Sequence, residues 1–474
     1  MKKLLFTILF SMAIHFVFGQ SFEKNRVIIL SDIEADPDDT QSFVRLLLYS
    51  NVIDIKGMVA TTSCWQKNRI APESIKKIIQ AYGKVRNNLL IHEPGFPSEE
   101  ALLSLVKTGS PVYGMLGVGE GKDSEGSDWI IKVLEEKDDR PLWISVWGGP
   151  NTLAQALFKI KNTKSASEAK RLIAKLRVYT ISDQDDSGIW MRNNFPDLFY
   201  IVSPGDEYAK ATWSAINSHI KGINNEEISN SWLAKNIQVG HGPLGAAYPD
   251  VSWGVEGDTP AFLSLIPNGL NDAEHPEWGG WGGRYEFYKP DFSKQKKGSS
   301  GVPFEAETRA IWTNATDHYV PLVYNEYGRI FKPDTISFTD NKVSLWRWRA
   351  DFQNDFAARM DWCLSDYKEA NHAPVPGINV VSEFTVRSGE QIFLNAADSY
   401  DPDGDNISTW WFHYPEAGTY QKEIIIQSVN YPSVTITAPD VTKKETVHLI
   451  LKVTDKGIPA LTRYKRIVIT VLPK

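Results

Sequence analysis

Cysteine is almost missing from this chain: there are two, Cys64 and Cys363, in 474 residues. So few thiols exclude a disulfide-stapled scaffold and leave two readings, one bridge or two buried thiols. Histidine is also scarce, and neither His241 nor His275 has a second histidine at ligand spacing, which argues against a zinc site. No basic excess exists: the formal net charge is −7, without the positive stripe of a general nucleic-acid binder. Beyond residue 20 no apolar run approaches the ~20 residues that a membrane span needs. Nucleic acid and membrane are therefore not expected partners.

Residues 1–20 stand apart. Lys2 and Lys3 precede an almost wholly apolar stretch, Leu4 to Phe18, which ends at Gly19. This is the pattern of a secretory signal peptide cleaved after about Gly19, and it places the mature chain in the periplasm or outside the cell. The remaining length is too great for one ordinary core and calls for two or three domains.

From Arg26 to about Pro267, strand-like and helical runs alternate. Val27 to Leu30, Ile53 to Thr62, Leu89 to His92, Leu142 to Trp147, Leu176 to Ile181 and Phe199 to Val202 read as strands. Helical patterns lie between them, as over 71–82 and 129–136. This alternation predicts an α/β fold with a mainly parallel sheet and helices on both faces. Residues 268–370 form a Trp- and Gly-rich extension of that domain (21–370), ending in a patterned helix over Ser344 to Tyr367. NHAPVPG (371–377) reads as a linker. Residues 378–474 hold only short, evenly spaced alternating runs, which predicts a C-terminal all-β immunoglobulin-like sandwich.

The richest local feature is the acidic turn after the first strand, with Asp32, Glu34, Asp36, Asp38 and Asp39 in eight residues. Charges this close repel strongly and call for a neutralising hard cation; Ca²⁺, with its six to eight oxygen ligands, suits them. The turn joins a parallel strand to a helix, where open α/β sheets bind ligands. Plain helix capping uses one carboxylate, not five. Two later segments could complete such a site. WGGPNTLAQAL places Asn151, and EGDTPAFLSLI places Asp258, each just before a helix. Both residues also read as ordinary N-caps.

These segments resemble the nucleoside hydrolases. The acidic turn is similar to their Asp-x-Asp-x-Gly-x-Asp-Asp signature, WGGPNTLA to their Gly-Pro-Leu-Thr-Asn-Leu-Ala segment, and EGDTPAFL to their late Asp-Pro-Leu-Ala segment. Met58 to Ser63 resembles their Thr-Thr strand end. With the Trp-rich EHPEWGGWGGRYE, the helix FQNDFAARMDW and the sandwich tail, the chain resembles the nucleoside hydrolase-like, cellulose-binding protein family. The resemblance implies Ca²⁺ held by Glu34, Asp39, the carbonyl of Asn151 and Asp258, with Asp38 on a sugar hydroxyl. It implies Glu34 as the base that activates water against an anomeric carbon. Three departures qualify it. Glu34 stands where the family has Asp, Asp36 stands where it has Gly, and Ser63-Cys64-Trp65-Gln66 replaces its Asn-bearing segment. Asp186, in Gln184-Asp185-Asp186-Ser187-Gly188, is the nearest candidate for the family's mid-chain substrate contact, and also reads as a plain polar loop.

Trp278 and Trp281 read either as sugar-stacking platforms or as packing between domains. Asp398, Asp401, Asp403 and Asp405 form a second acidic turn, without the Glu of an EF-hand, that could hold a structural Ca²⁺ or simply connect strands. Two functions follow. One is an exported Ca²⁺-dependent hydrolase of N-glycosidic bonds acting on a nucleoside or related sugar. The other is a non-catalytic protein that binds cellulose or another polysaccharide on the same scaffold.

Overall fold

The computed structural model describes residues 23–474 apart from 204, 206–207, 292–300, 303–304, 325–329 and 335. The expected signal peptide lies outside the described residues. The large sheet contains β1 (Asn25–Ser31), β2 (Ile53–Ala60), β3 (Val106–Thr108), β4 (Leu142–Val146), β5 (Leu176–Thr180), β6 (Phe199–Val202), β7 (Tyr285–Tyr288) and β8 (Ile311–Asn314). Their order is β3-β2-β1-β4-β5-β6-β8-β7, all parallel except β7 at one edge. The order reverses between β1 and β4, which makes the crevice beyond their carboxyl ends the topological switch point.

β1 shows why its apolar run is continuous. Val27 and Ile29 face one layer, where they join Phe43, Leu46 and Leu47 of α1 (Asp38–Leu48). Ile28 and Leu30 face the other, against Ile130, Leu134, Leu153 and Leu157. Side chains alternate along a strand, so a strand covered on both faces must be apolar at every step. Each such side chain contributes roughly 1.5–3 kcal/mol on burial.

Two expectations fail here. Leu89 to His92 is helical (Arg86–His92), and β3 takes the edge of the sheet instead. A four-residue apolar run has no readable period, and Leu89 supplies only one side chain to the core. The long helix over Ser344 to Tyr367 divides into Val343–Trp346 and Arg349–Asp361. The Trp- and Gly-rich region also contributes β7 and β8 to the sheet.

The C-terminal part pairs strands Glu383–Arg387, Thr462–Leu472, Glu445–Thr454 and Ser408–His413 in one sheet, and Gln391–Asn395 with Ser433–Thr437 in another. Leu394, Val434, Ile436, Trp411, Leu451 and Ile467 fill the space between them. In the acidic turn, Asp401 Oδ1 accepts from the backbone N–H groups of Asp403 and Asp405. The Asp403 carboxylate accepts from the His372 backbone N–H at 2.6 Å and lies 2.9 Å from its Nδ1, so this turn latches the linker. Cys64 and Cys363 are free, buried thiols. No helix among the described residues is long and apolar enough to cross a membrane.

The helix Arg349–Asp361 lies between the two parts. Asp351 receives Lys452 Nζ at 2.8 Å and the Tyr464 hydroxyl, and Asn354 donates to the Ala460 carbonyl. Asp355, 2% exposed, accepts from Arg463 at 2.6 Å and from the Tyr49 hydroxyl at 2.6 Å. Asp355→Ala strands the Arg463 charge and is expected to cost about 3–5 kcal/mol, as loss of one partner of a buried pair does. Urea unfolding followed by circular dichroism measures it; a change below about 1 kcal/mol would show that this contact does not bind the two parts together.

Candidate functional site

The acidic turn leaves the carboxyl end of β1, the central strand beside the switch point. Ser31, its last residue, donates from Oγ to Asp39 and accepts the Ile33 N–H at 3.1 Å. The Asp32 carbonyl accepts from Ala35 N–H at 2.9 Å. α1 then starts at Asp38, so Asp38 and Asp39 occupy the positive end of a helix, where negative charge is favoured. Within the turn, Asp36 Oδ1 accepts from the Asp38 N–H at 3.2 Å and Asp38 Oδ1 from the Asp39 N–H at 3.0 Å.

Asp258 arrives from far along the chain, on a turn fixed by a buried ion pair. Arg45 on α1 and Glu256 are both 0% exposed; Nε meets Oε2 at 2.5 Å and Nη2 meets Oε1 at 3.0 Å. The Tyr248 and Thr259 hydroxyls also donate to Glu256, and Gln41 Oε1 accepts its backbone N–H. Arg45 further donates to the Phe352 carbonyl and Gln353, with its guanidinium 4.0 Å above the Phe356 ring. Small residues let the loops close in. A Cβ on Gly257 would stand 2.6 Å from Asp38 Oδ2, and one on Gly148, after β4, would stand 2.8 Å from Asp32.

Asp36, Asp38 and Asp39 can each place an oxygen within 4.8 Å of the others. Burial, and then the charges of its neighbours, push the carboxyl of Asp258 well above the usual range. Asp38 is raised by burial, by its hydrogen bond to Asp36 and by the charges around it. Asp39 is raised by burial and by Asp32. Asp32 is pushed up to about 6, by burial first and Asp36 next, against a hydrogen bond from Ser63. Four carboxyls whose proton affinity is raised by burial and by one another's charge form an all-oxygen donor set, the set that a hard cation takes. Asp258 Oδ2 is buried with no hydrogen-bond partner among the described residues.

These carboxylates form the floor of a cavity of about 670 Å³, within the range of roughly 300–1,000 Å³ usual for small-molecule sites. Its walls include Trp65, Tyr208, Trp213, Trp253 and Gln184. The Gln184 amide donates to the Trp147 carbonyl, and Gln184 Oε1 and Trp213 Nε1 are buried without partners among the described residues.

The structure brings together Asp38, Asp39 and Asp258, with Asp32 and Asp36 of the same acidic turn beside them. Glu34 falls outside. Its backbone is left-handed (φ 80°), and its carboxylate turns from the cavity to pair with Arg69 and accept from the Ser74 hydroxyl. Those two hydrogen bonds, from Ser74 and Arg69, hold its pKa below the ordinary carboxylate range, so it stays ionised. Asn151 is buried away from the cavity wall, with its amide donating to Thr62 Oγ1 and the Val112 carbonyl. Asp186 accepts the Met115 N–H at 2.7 Å and does not line the cavity. Trp281 is fully buried against Phe352, so it cannot stack a ligand. Trp278 is half-buried between the two parts, stacked on His275 at 4.0 Å and edge-on to His448.

The comparisons agree with this architecture. Residues 26–285 match the model of the nucleoside hydrolase-like domain of cellulose-binding Sde182, and residues 391–471 that of the C-terminal domain of the cellulose-binding protein Sde0182. A solved nucleoside hydrolase-related hypothetical protein from Saccharophagus degradans, described as associated with carbohydrate metabolism, is 35% identical, covering 95% of this chain and 100% of its own, with a TM-score of 0.80. The type III effector protein XopQ, solved with adenosine diphosphate ribose, is 12% identical, covering 52% of this chain and 68% of its own, with a TM-score of 0.27. No curated protein matches the chain. A switch-point cavity floored by aspartates, on a parallel sheet followed by a β-sandwich, thus coincides with both family matches: the chain belongs to the cellulose-binding Sde182 family, with a nucleoside hydrolase-like domain and a C-terminal Sde0182 domain.

Proposed function

We propose that the chain is an exported, Ca²⁺-dependent carbohydrate-binding protein whose sugar site is the acidic cavity. One observation carries this reading: Asp32, Asp36, Asp38, Asp39 and Asp258 converge on the cavity floor, while Glu34, the expected base, is tied to Arg69 and Ser74 outside it. Asp36, Asp38 and Asp39 would hold the ion, with Asp32 and Asp258 beside them. Bound there, Ca²⁺ supplies the positive charge that lets the carboxylates ionise together, and an anchor for sugar hydroxyls. Gln184 Oε1 accepts from a sugar hydroxyl, Trp213 Nε1 donates to one, and the aromatic wall excludes water. The signal-peptide pattern of residues 1–19 supports export.

A second reading, hydrolysis of an N-glycosidic bond, is favoured by Asp32. Its buried carboxyl, pushed up to about 6, stands on the floor and has an affinity suited to taking a proton from water near neutral pH. Asp32, rather than Glu34, is the proton acceptor in that case.

A carboxyl whose folded pKa lies above its unfolded value grips its proton more tightly when folded, so the fold weakens as pH rises between the two values. For Asp32 that window runs from 3.8 to about 6, and the raised Asp38, Asp39 and Asp258 extend it upward. In a chelator, the thermal midpoint is therefore expected to fall as pH rises from about 4 to about 7. Ca²⁺ at about 100 times its Kd should add roughly 2.7 kcal/mol at neutral pH. A midpoint indifferent to Ca²⁺ would refute the metal site.

Asp39→Asn and Asp258→Asn are expected to abolish Ca²⁺ binding in calorimetry, and Glu34→Gln to leave it within about twofold. Base release from a nucleoside panel, present in the wild type and lost in Asp32→Asn, would replace the binding reading with the hydrolytic one.

A further inference from the structure

The chain has sixteen tryptophans, all among the described residues, and of these only two are exposed: Trp65 at 51% and Trp253 at 88%. Both stand on the rim of the acidic cavity. Isolated apolar side chains at a surface need no explanation, but convergence of both exposed indoles on one opening does.

Each belongs to a loop fixed to the floor. The Trp65 N–H donates to Ser63 Oγ at 3.0 Å, and in the same loop Gln66 Nε2 donates to the carbonyls of Asp32 and Ile33. Trp253 precedes the turn that Arg45 holds through Glu256 and that carries Asp258. The loops that carry both indoles are therefore tied to the segments that carry the carboxylates. Inward from Trp65 the aromatic surface continues. Its ring lies 6.2 Å from that of Tyr208, which in turn lies 5.4 Å from Trp213. The floor is charged and the deep wall offers unpartnered polar atoms, Trp213 Nε1, Gln184 Oε1 and Asp258 Oδ2, each on a side chain over nine-tenths buried. The rim offers flat apolar faces.

We propose that the cavity takes an oligosaccharide of at least two sugar units. This rests on the reading of the floor as a Ca²⁺-assisted sugar site. The end unit meets the carboxylates, Gln184 and Trp213, and the next unit runs out across Trp65 and Trp253. A sugar ring has polar edges, which the deep wall matches, and apolar faces, which the indoles match. A free nucleoside seated on the floor leaves part of this rim uncovered. Trp65 and Trp253 are thus specificity residues for chain length.

The test is calorimetric titration of the full chain in excess Ca²⁺ with glucose, xylose and mannose, with gluco-, xylo- and mannotetraose (all β-1,4-linked), and with inosine. At least one tetraose should bind about tenfold or more tightly than its own monosaccharide. Trp65→Ala with Trp253→Ala should remove that gain while leaving Ca²⁺ binding and the thermal midpoint unchanged, as befits exposed positions. Trp213→Phe, which deletes only the N–H, should weaken monosaccharide and tetraose alike. Affinity independent of chain length, a gain that survives the double variant, or inosine binding more tightly than every tetraose would each overturn the proposal. Tetraose affinity that survives chelation but is lost in the double variant would support it and sink the Ca²⁺ reading instead.

Discussion

The Arg45–Glu256 pair is the interaction on which the site depends. Asp258 is separated from the acidic turn by most of the first domain, and the four-residue helix after it, Pro260–Leu263, is too short to hold it in place. What holds it is a guanidinium on α1, the helix whose first turn carries Asp38 and Asp39. The two halves of the acidic floor are thus joined through one element. A buried ion pair contributes little net stability once desolvation is counted, but its geometry is specific. With Tyr248, Thr259, Gln41 and Gln353 also in contact, the network ties the 256–259 turn to α1 at several points.

Rigidity of that kind is what crowding carboxylates requires. Left mobile, Asp38 and Asp258 would relieve their repulsion by moving apart. The ion pair beneath and the glycines at 148 and 257 hold them close, and their burial, with the charge of their neighbours added, appears as raised proton affinity rather than as an open loop.

Much of the fold was legible in the sequence because buried parallel strands leave apolar runs, nearly continuous in β1, β4 and β6 and interrupted by Asp54 and Lys56 in β2 and by Arg177 in β5. β3 was not, since a three-residue edge strand has no period to read. Within the site, Asp38, Asp39 and Asp258 were legible as acids beside strand and helix ends. Glu34, given its role by the resemblance alone, lies apart from the cluster because its backbone is left-handed and its longer side chain pairs with Arg69 and Ser74. Asp36, set aside as a charge in place of glycine, belongs to the cluster. Trp278 and Trp281 drew attention through their density in sequence. Trp65 and Trp253, which line the cavity, are isolated in sequence, and only exposure distinguishes them.

The helix Arg349–Asp361 has a consequence beyond packing. Arg45 reaches it at Phe352 and Gln353, and the sandwich reaches it at Asp351, Asn354 and Asp355. One rigid element is therefore common to the cavity floor and to the seat of the second domain. The same thirteen residues therefore seat the Arg45 guanidinium on one side and the sandwich on the other, so a change in this helix bears on both. The C-terminal domain is thereby fixed to the element that buttresses a site whose wall it does not line.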